Sequence, residues 1–183
     1  MSLNVPSVET ARYSFGPGIL YYGPAGATPT IDVGAVKGDA EMSIERVPLE
    51  VKQGSPQSLS KTYVVEENIS LNITGIEWNM DNIAIALGAG ITSLNGAEEI
   101  LEFGGDADHS KQAVRFLHLM PDGSTIDIHL FEAEGSGEMS LSMKETDIHE
   151  FPFVFKALEG NTDFEGAALA ANKKKFKIIH TRA

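Results

Sequence analysis

The sequence predicts a mainly β domain with a single helix, and three observations carry that expectation. Eighteen glycines and eight prolines break 183 residues into short apolar runs, the punctuation of a chain with many tight turns. Residues 68–76 alternate strictly, with Ile69, Leu71, Ile73 and Gly75 on one face and Asn68, Ser70, Asn72 and Thr74 on the other. Only Asn79 to Gly88 departs from period two. There Asn79 or Asp81 can cap a helix, Ile83 to Leu87 suit its interior, and Gly88 supplies the stop. At 42% hydrophobic and 22% charged, the chain has enough apolar material for a core of its own.

The elements follow in order. Residues 1–18 read as an irregular N-terminal arm closed by Gly16-Pro17-Gly18, ahead of a β domain over 19–172. Ile19 to Tyr22 forms a first strand, ended by Gly23-Pro24-Ala25-Gly26. Asp39 to Val47 alternates Met42, Ile44 and Arg46 against Glu41, Ser43 and Glu45, which makes its outward face acidic. Val47 to Leu59 holds two prolines and a glycine yet keeps Val47, Leu49 and Val51 at alternate positions. Either that stripe folds back on the domain's own core, or the hairpin projects and pairs with another subunit. Strands resume at Lys61 to Val65 and at Asn68 to Ile76. In the helix, 79–88, Trp78, Ile83 and Leu87 share a face that packs on the sheets, with Trp78 expected to be buried.

A glycine-containing loop leads to a short strand at Ile100 to Phe103. Gln112 to Met120 and Thr125 to Phe131 then flank Pro121-Asp122-Gly123-Ser124, where Asp122-Gly123 signals a two-residue hairpin turn. That turn sets Leu119 against Ile126 and Leu117 against Ile128, with His118, Asp127 and His129 together on the other face. Apolar groups on both faces fit a sheet that buries one side in its own core and part of the other against a neighbour. Further strands are expected at Met139 to Met143 and at His149 to Ala157, where Phe151, Phe153 and Phe155 share a face and Pro152 marks an edge or bulge. Residues 159–172 read as a loop or weak helix, and Phe176 to Ile179 as an optional last strand.

Charge is unevenly spread. The chain has 14 basic and 26 acidic residues, a net charge of −12. Five of the basic residues, Lys173, Lys174, Lys175, Lys177 and Arg182, fall in 173–183, which holds no acid. Residues 1–172 therefore carry a surplus of 17 acids. A net anion of this size argues against tight non-specific binding of nucleic acid. A basic end and an acidic body are also complementary between copies of one chain. No cysteine is present, which excludes disulfides, thiolate zinc sites and cysteine nucleophiles. The N-terminal residues lack the basic and apolar regions of a signal peptide, and no run reaches membrane-spanning length, so synthesis in a cytoplasm without general export is expected.

Catalytic constellations are thin. His118, Asp127 and His129 on one hairpin face could form a metal site or an acid–base pair, although a half-exposed polar cluster is the commoner meaning of such a trio. Gly104 to Ser110 begins like a calcium loop but lacks the later glycine and the terminal glutamate. The glycines at 16–18 and 88–90 do not open a helix after a strand, as a phosphate loop must, and no Gly-x-Ser-x-Gly motif occurs. No enzyme activity, cofactor or metal is therefore expected.

Several stretches in order resemble bacteriophage tail tube proteins. They are Gly16-Pro17-Gly18-Ile19-Leu20-Tyr21-Tyr22-Gly23, Asp32 to Gly38, Ser43-Ile44-Glu45-Arg46, Val51-Lys52-Gln53-Gly54, and Glu66 to Gly88 with Ile76-Glu77-Trp78-Asn79. They cover about the first half of the chain. The resemblance implies the tail-tube fold, two packed antiparallel sheets as a β-sandwich or partial barrel with one flanking helix. It implies hexameric rings stacked into a tube whose negatively lined channel passes DNA into the host without binding it specifically. Tape-measure, tail terminator and baseplate or tip proteins would be its partners, with no membrane involved. Its place would be the virion tail, assembled in the bacterial cytoplasm. A loop between early strands would reach the adjacent ring, which maps onto 47–60 with Val47, Leu49, Val51, Gln53 and Leu59 as contacts. Residues 2–15 and the basic arm 173–183, with Lys173, Lys174, Lys175 and Lys177, would order on neighbouring subunits. Rival readings are the inner tube of a contractile device (a bacteriocin or type VI secretion system) carrying protein, and a carbohydrate-binding β-sandwich, which would need an exposed aromatic platform.

Overall fold

A computed structural model describes residues 18–105, 109–135 and 150–183. The N-terminal arm short of Gly18, the strand expected over Met139–Met143, His149 and the centre of the Gly104–Ser110 turn lie outside the described residues. The protein is mainly β. In chain order the elements are β1 (Gly18–Pro24), β2 (Ile31–Asp32), β3 (Val36–Gln53), β4 (Ser58–Gly75), α1 (Met80–Leu87), β5 (Ile91–Asn95), β6 (Glu98–Glu102), β7 (Lys111–Leu119), β8 (Thr125–Gly135), β9 (Phe151–Leu158) and β10 (Phe176–Thr181).

Eight strands form one antiparallel sheet in the order β2-β1-β7-β8-β9-β4-β3, with β10 also on β8. This sheet folds into two layers because β8 changes sides. Its first half, Thr125 to Leu130, pairs with β10, and its last residues, Glu132 to Gly135, pair with β9. Between them the register against β7 slips, from Val114↔Leu130 to Gln112↔Ala133, so one extra residue sits in β8. An extra residue reverses which side chains face inward. Leu130 is buried before the slip, and Ala133 is buried after it. A strand that bends at such a bulge makes the corner between two packed layers.

The core lies between β1, β7 and β8 on one side and β4 and β9 on the other. Leu20, Val114, Phe116 and Leu130 meet Ile69, Leu71, Ile73, Phe151, Phe153 and Phe155. The period-two reading of β4 and the shared face of the three phenylalanines are both realised, and each buried phenylalanine contributes about 2–3 kcal/mol. Pro152 stands where β4 alone borders β9 among the described residues, since β8 reaches only Phe155 to Leu158.

Helix α1 sits at one end of the sandwich. Asn79 caps it, its side chain accepting from the Asp81 amide at 2.8 Å, and Gly88 ends it in the left-handed conformation at φ 69°. Ile83, Ile85 and Ala86 face the core, and the buried Asn82 amide donates to the Val33 carbonyl at 2.7 Å. Close approach of the helix end requires Gly135, where a Cβ would lie 2.3 Å from the Ile85 carbonyl oxygen. Trp78 departs from expectation. It is 43% exposed, edge-on to Phe151 at 5.1 Å, because it precedes the helix cap.

Beyond α1 the strand expected near Ile100 to Phe103 is present as β6, and the expected loop before it holds a second strand, β5. β5 and β6 pair from Ile91↔Glu102 to Asn95↔Glu98 as a separate two-stranded sheet. Gly96 takes φ 67° at the first position of the two-residue turn, which is the type II′ pattern.

Candidate assembly interface

The outer half of the β3–β4 hairpin is the most unusual surface. From Pro48 to Glu66 every described residue except the half-buried Val51 is exposed. The segment expected as a loop over 47–60 is a paired ribbon, turning only at 54–57, and its returning strand runs on to join the body near Glu67. From Val47↔Glu66 to Gln53↔Ser58 the ladder extends about 20 Å past the core. Two slips, at Val47/Pro48 and Val51/Lys52, each add a residue to β4 and coil the ribbon.

Residues opposite one another on an antiparallel ladder share a face. Val47, Leu49 and Val51 line one face of the ribbon, with Tyr63 opposite Leu49 and the Lys61 ammonium 4.5 Å above the Tyr63 ring. Pro48 and Val64 hold the other face. Leu49 is 53% exposed, and Tyr63, Val64 and Val65 are exposed to a similar degree. Leu59 lies opposite Lys52 near the tip, and Gln53 opposite Ser58, whose hydroxyl donates to the Gln53 carbonyl at 3.2 Å. The five contacts expected in this segment are thus brought together on one ribbon. Tyr63, Val64 and Val65 belong with them and were expected in the body. The signal was their unbroken β-prone apolar run, which gives both faces of a strand something to cover.

The remaining outer surface of the β3–β4–β9 layer is polar. Glu41, Ser43 and Glu45 face Asn72, Ser70 and Asn68, and Lys156 and Glu134 continue the same surface. β3 ends the strand path, so its outer edge carries no partner strand among the described residues. An edge of that length is a template for pairing with another chain.

The C-terminal segment realises the last strand expected at Phe176 to Ile179, and it does so within its own protomer. Phe176 to Thr181 form β10 within the chain's own sheet, in register from Phe176↔Leu130 to Thr181↔Thr125. The Lys174 and Lys175 carbonyls accept from the Gly160 and Phe131 amides, and the Lys175 ammonium donates to the Glu67 carbonyl at 2.5 Å. Residues 173–181 are therefore a built part of this protomer and no free arm. Lys173 and Lys177 are exposed, while Lys174 and Lys175 are half-buried.

The candidate trio of His118, Asp127 and His129 is also divided. Met120 and Ser124 close a three-residue turn over Pro121-Asp122-Gly123, with Gly123 at φ 84°. The odd loop length shifts the register by one from a two-residue turn. His118 lies opposite Ile126, and Asp127 opposite Leu117, so His118 points to the other face. Asp127, 8% exposed, instead pairs with Arg115, whose Nε and Nη2 reach its two oxygens at 2.7–3.0 Å. His129 Nε2 stands 3.0 Å from Oδ2 but off the hydrogen-bonding direction, with its ring stacked on Phe164 at 4.4 Å. Burial pushes the Asp127 carboxyl up, but the Arg115 bonds and the adjacent His129 outweigh it and hold the carboxyl below the usual range. The same bonds raise the Arg115 guanidinium. This cluster fastens β7 to β8, with Phe164 stacked on His129 and edge-on to Phe131.

Among the described residues no helix is long and apolar enough to cross a membrane. A scan against protein-family models and a search of curated proteins return no match to this chain.

Proposed function

We propose that the chain is a structural subunit of a bacteriophage tail tube, joining in hexameric rings that stack around a channel for DNA. The observation that carries this reading is the β3–β4 ribbon. A ribbon exposing Leu49, Tyr63 and Val64 on two faces has no use in an isolated protomer and is a liability to its solubility. A second copy is the occupant that also covers the long free edge of β3, and ring closure removes such edges altogether. The polar outer surface of the same layer, where Glu41, Glu45 and Glu134 outnumber Lys156, suits a wall that phosphates slide along, because its net charge is negative. Tape-measure, terminator and tip proteins would bound such a tube, and the virion tail would be its location. The partners of this protein are on this account mainly its own copies.

Sedimentation of the purified chain over a wide concentration range tests the proposal. The expected result is a species of six times the 19.7 kDa chain mass, followed by larger multiples of it. A monomer that gives way only to polydisperse aggregate would overturn the ring.

A further inference from the structure

We propose that copies of this chain join end to end by seating the β5–β6 hairpin of one copy in a lysine-lined groove of the next. The inference rests on the self-assembly reading above and names the surfaces that mate along the stacking direction. The groove, of about 440 Å³, is lined by Arg46, Lys173, Lys174, Lys175, Ala171 and Phe176. Glu67 and Glu159 also border it. Glu67 is already engaged by Arg46, at 2.8 Å. The surplus of positive charge is thus set by the lysine run.

The hairpin is its chemical counterpart. Residues 91–103 carry Glu98, Glu99 and Glu102 and no lysine or arginine. The three glutamates are exposed and form no ion pair among the described residues. Between them the hairpin exposes Leu94 (77%), Ile91 (70%) and Phe103 (61%). Leu94 sits directly opposite Glu99, so one face of the tip offers an apolar group beside a carboxylate. Lysine stems with ammonium heads, beside Ala171 and Phe176, meet both kinds of group. The groove has room for a few side chains of the tip, and not for the whole hairpin.

Placement makes the pairing head to tail. The hairpin leans on α1, whose C-terminal end meets Gly135, which lies opposite Phe155 and through it Leu71. The groove lies at Glu67, four residues along β4 from Leu71, or about 13 Å beyond that contact. No hairpin residue lines the groove of its own copy, so two different patches are left to meet between copies in a heterologous contact that propagates.

Charge reversal tests it. One variant carries Glu98→Lys, Glu99→Lys and Glu102→Lys, and the other Lys173→Glu and Lys174→Glu. Thermal unfolding of each dilute protomer checks that it folds, and stacking is read by light scattering and electron microscopy at low salt. Each variant alone should need at least about tenfold more protein to stack than wild type. An equimolar mixture should recover wild-type behaviour, because each variant's hairpin then meets the other's groove. Wild-type stacking should weaken as salt rises from about 50 to about 500 mM.

Variants that stack as wild type does, or a mixture that stays apart, overturn the pairing while wild-type rings leave the tube reading intact. Salt-sensitive strings without rings keep the pairing and remove the tube. No association of the wild-type chain at any concentration removes both. Normal stacking of the Lys173/Lys174 variant, with lost binding to a short DNA duplex, would reassign the groove to nucleic acid and overturn the proposal.

Discussion

Replacing Leu49 and Val51 with aspartate separates the two uses a projecting ribbon can have. In the lone protomer Leu49 is 53% exposed and Val51 half-buried, so their substitution removes little packing from the chain's own core. Exposed changes of this kind shift stability by about 0.5 kcal/mol each. In an assembly the remaining half of each side chain is buried, about 1 kcal/mol for Leu49 and about 0.5 kcal/mol for Val51 at the usual value for apolar area. Six arms in a ring multiply this to roughly 9 kcal/mol for each ring-to-ring contact, before the cost of desolvating twelve new carboxylates is added. Since about 1.4 kcal/mol is a factor of ten in an equilibrium constant, tube growth should cease at any practical concentration. The assay pairs the melting temperature of dilute protomer with tube length by electron microscopy. An unchanged melting point and no tubes is the expected outcome. Wild-type tubes would refute the role of the ribbon. A melting point lowered by more than about 10 °C would show that the stripe packs on its own core instead.

Asp127→Asn should lower protomer stability by about 2 kcal/mol, because it leaves the half-buried Arg115 without its charged acceptor. The wild-type carboxyl is held below its ordinary value, so its contribution is full above the unfolded-state pKa of about 4 and is lost as pH falls through the lower folded value. Acid titration of the melting temperature should therefore flatten in the Asn variant at the low-pH end, and an unchanged acid limb would contradict the assignment. Phe153→Ala should cost about 3–5 kcal/mol by urea unfolding, since Phe153 is fully buried beside Phe155 and against Ile73; a loss under 1 kcal/mol would deny that the two layers share this core. Deleting residues 176–183 should destabilise the protomer itself, because β8 loses its ladder from Thr125 to Leu130. A truncated chain that melts like the full one but fails to assemble would restore the reading of this segment as an arm.

What the sequence disclosed follows from how local each signal is. The helix from its Asn79 cap to Gly88, the face of β4 and the phenylalanines of β9 depend on neighbours within a few residues, and all were legible. The β7–β8 register depended on loop length. Asp122-Gly123 promises a two-residue turn, yet the Asp122 carboxylate accepts from both the Ser124 amide and hydroxyl, which holds a longer turn closed. That single residue of slip moved His118 away from Asp127 and brought Arg115 to it. The extra residue in β8 hides in an alternating pattern that changes phase after Leu130, and a phase change reads as noise without the partner strand. β5 was missed because Ile91 and Leu94 stand among polar residues on an exposed hairpin. Lys173 to Lys175 looked like a tail because charge dominates their composition, whereas their backbone groups serve Gly160 and Phe131. Of the candidate interface, the outgoing strand was legible from Val47, Leu49 and Val51. The returning strand was legible over Lys61 to Val65 as a strand, but its place outside the body was not, since an apolar run says that both faces are covered without saying by what.

The central claim is that the exposed ribbon and the free edge of β3 are covered by further copies of the chain in a closed ring. Electron microscopy of the purified protein, dilute and then concentrated, tests it most directly. The account predicts hollow rings with six-fold end views that lengthen into tubes as concentration rises. Compact monomers at every concentration, or open filaments without a central channel, would contradict it.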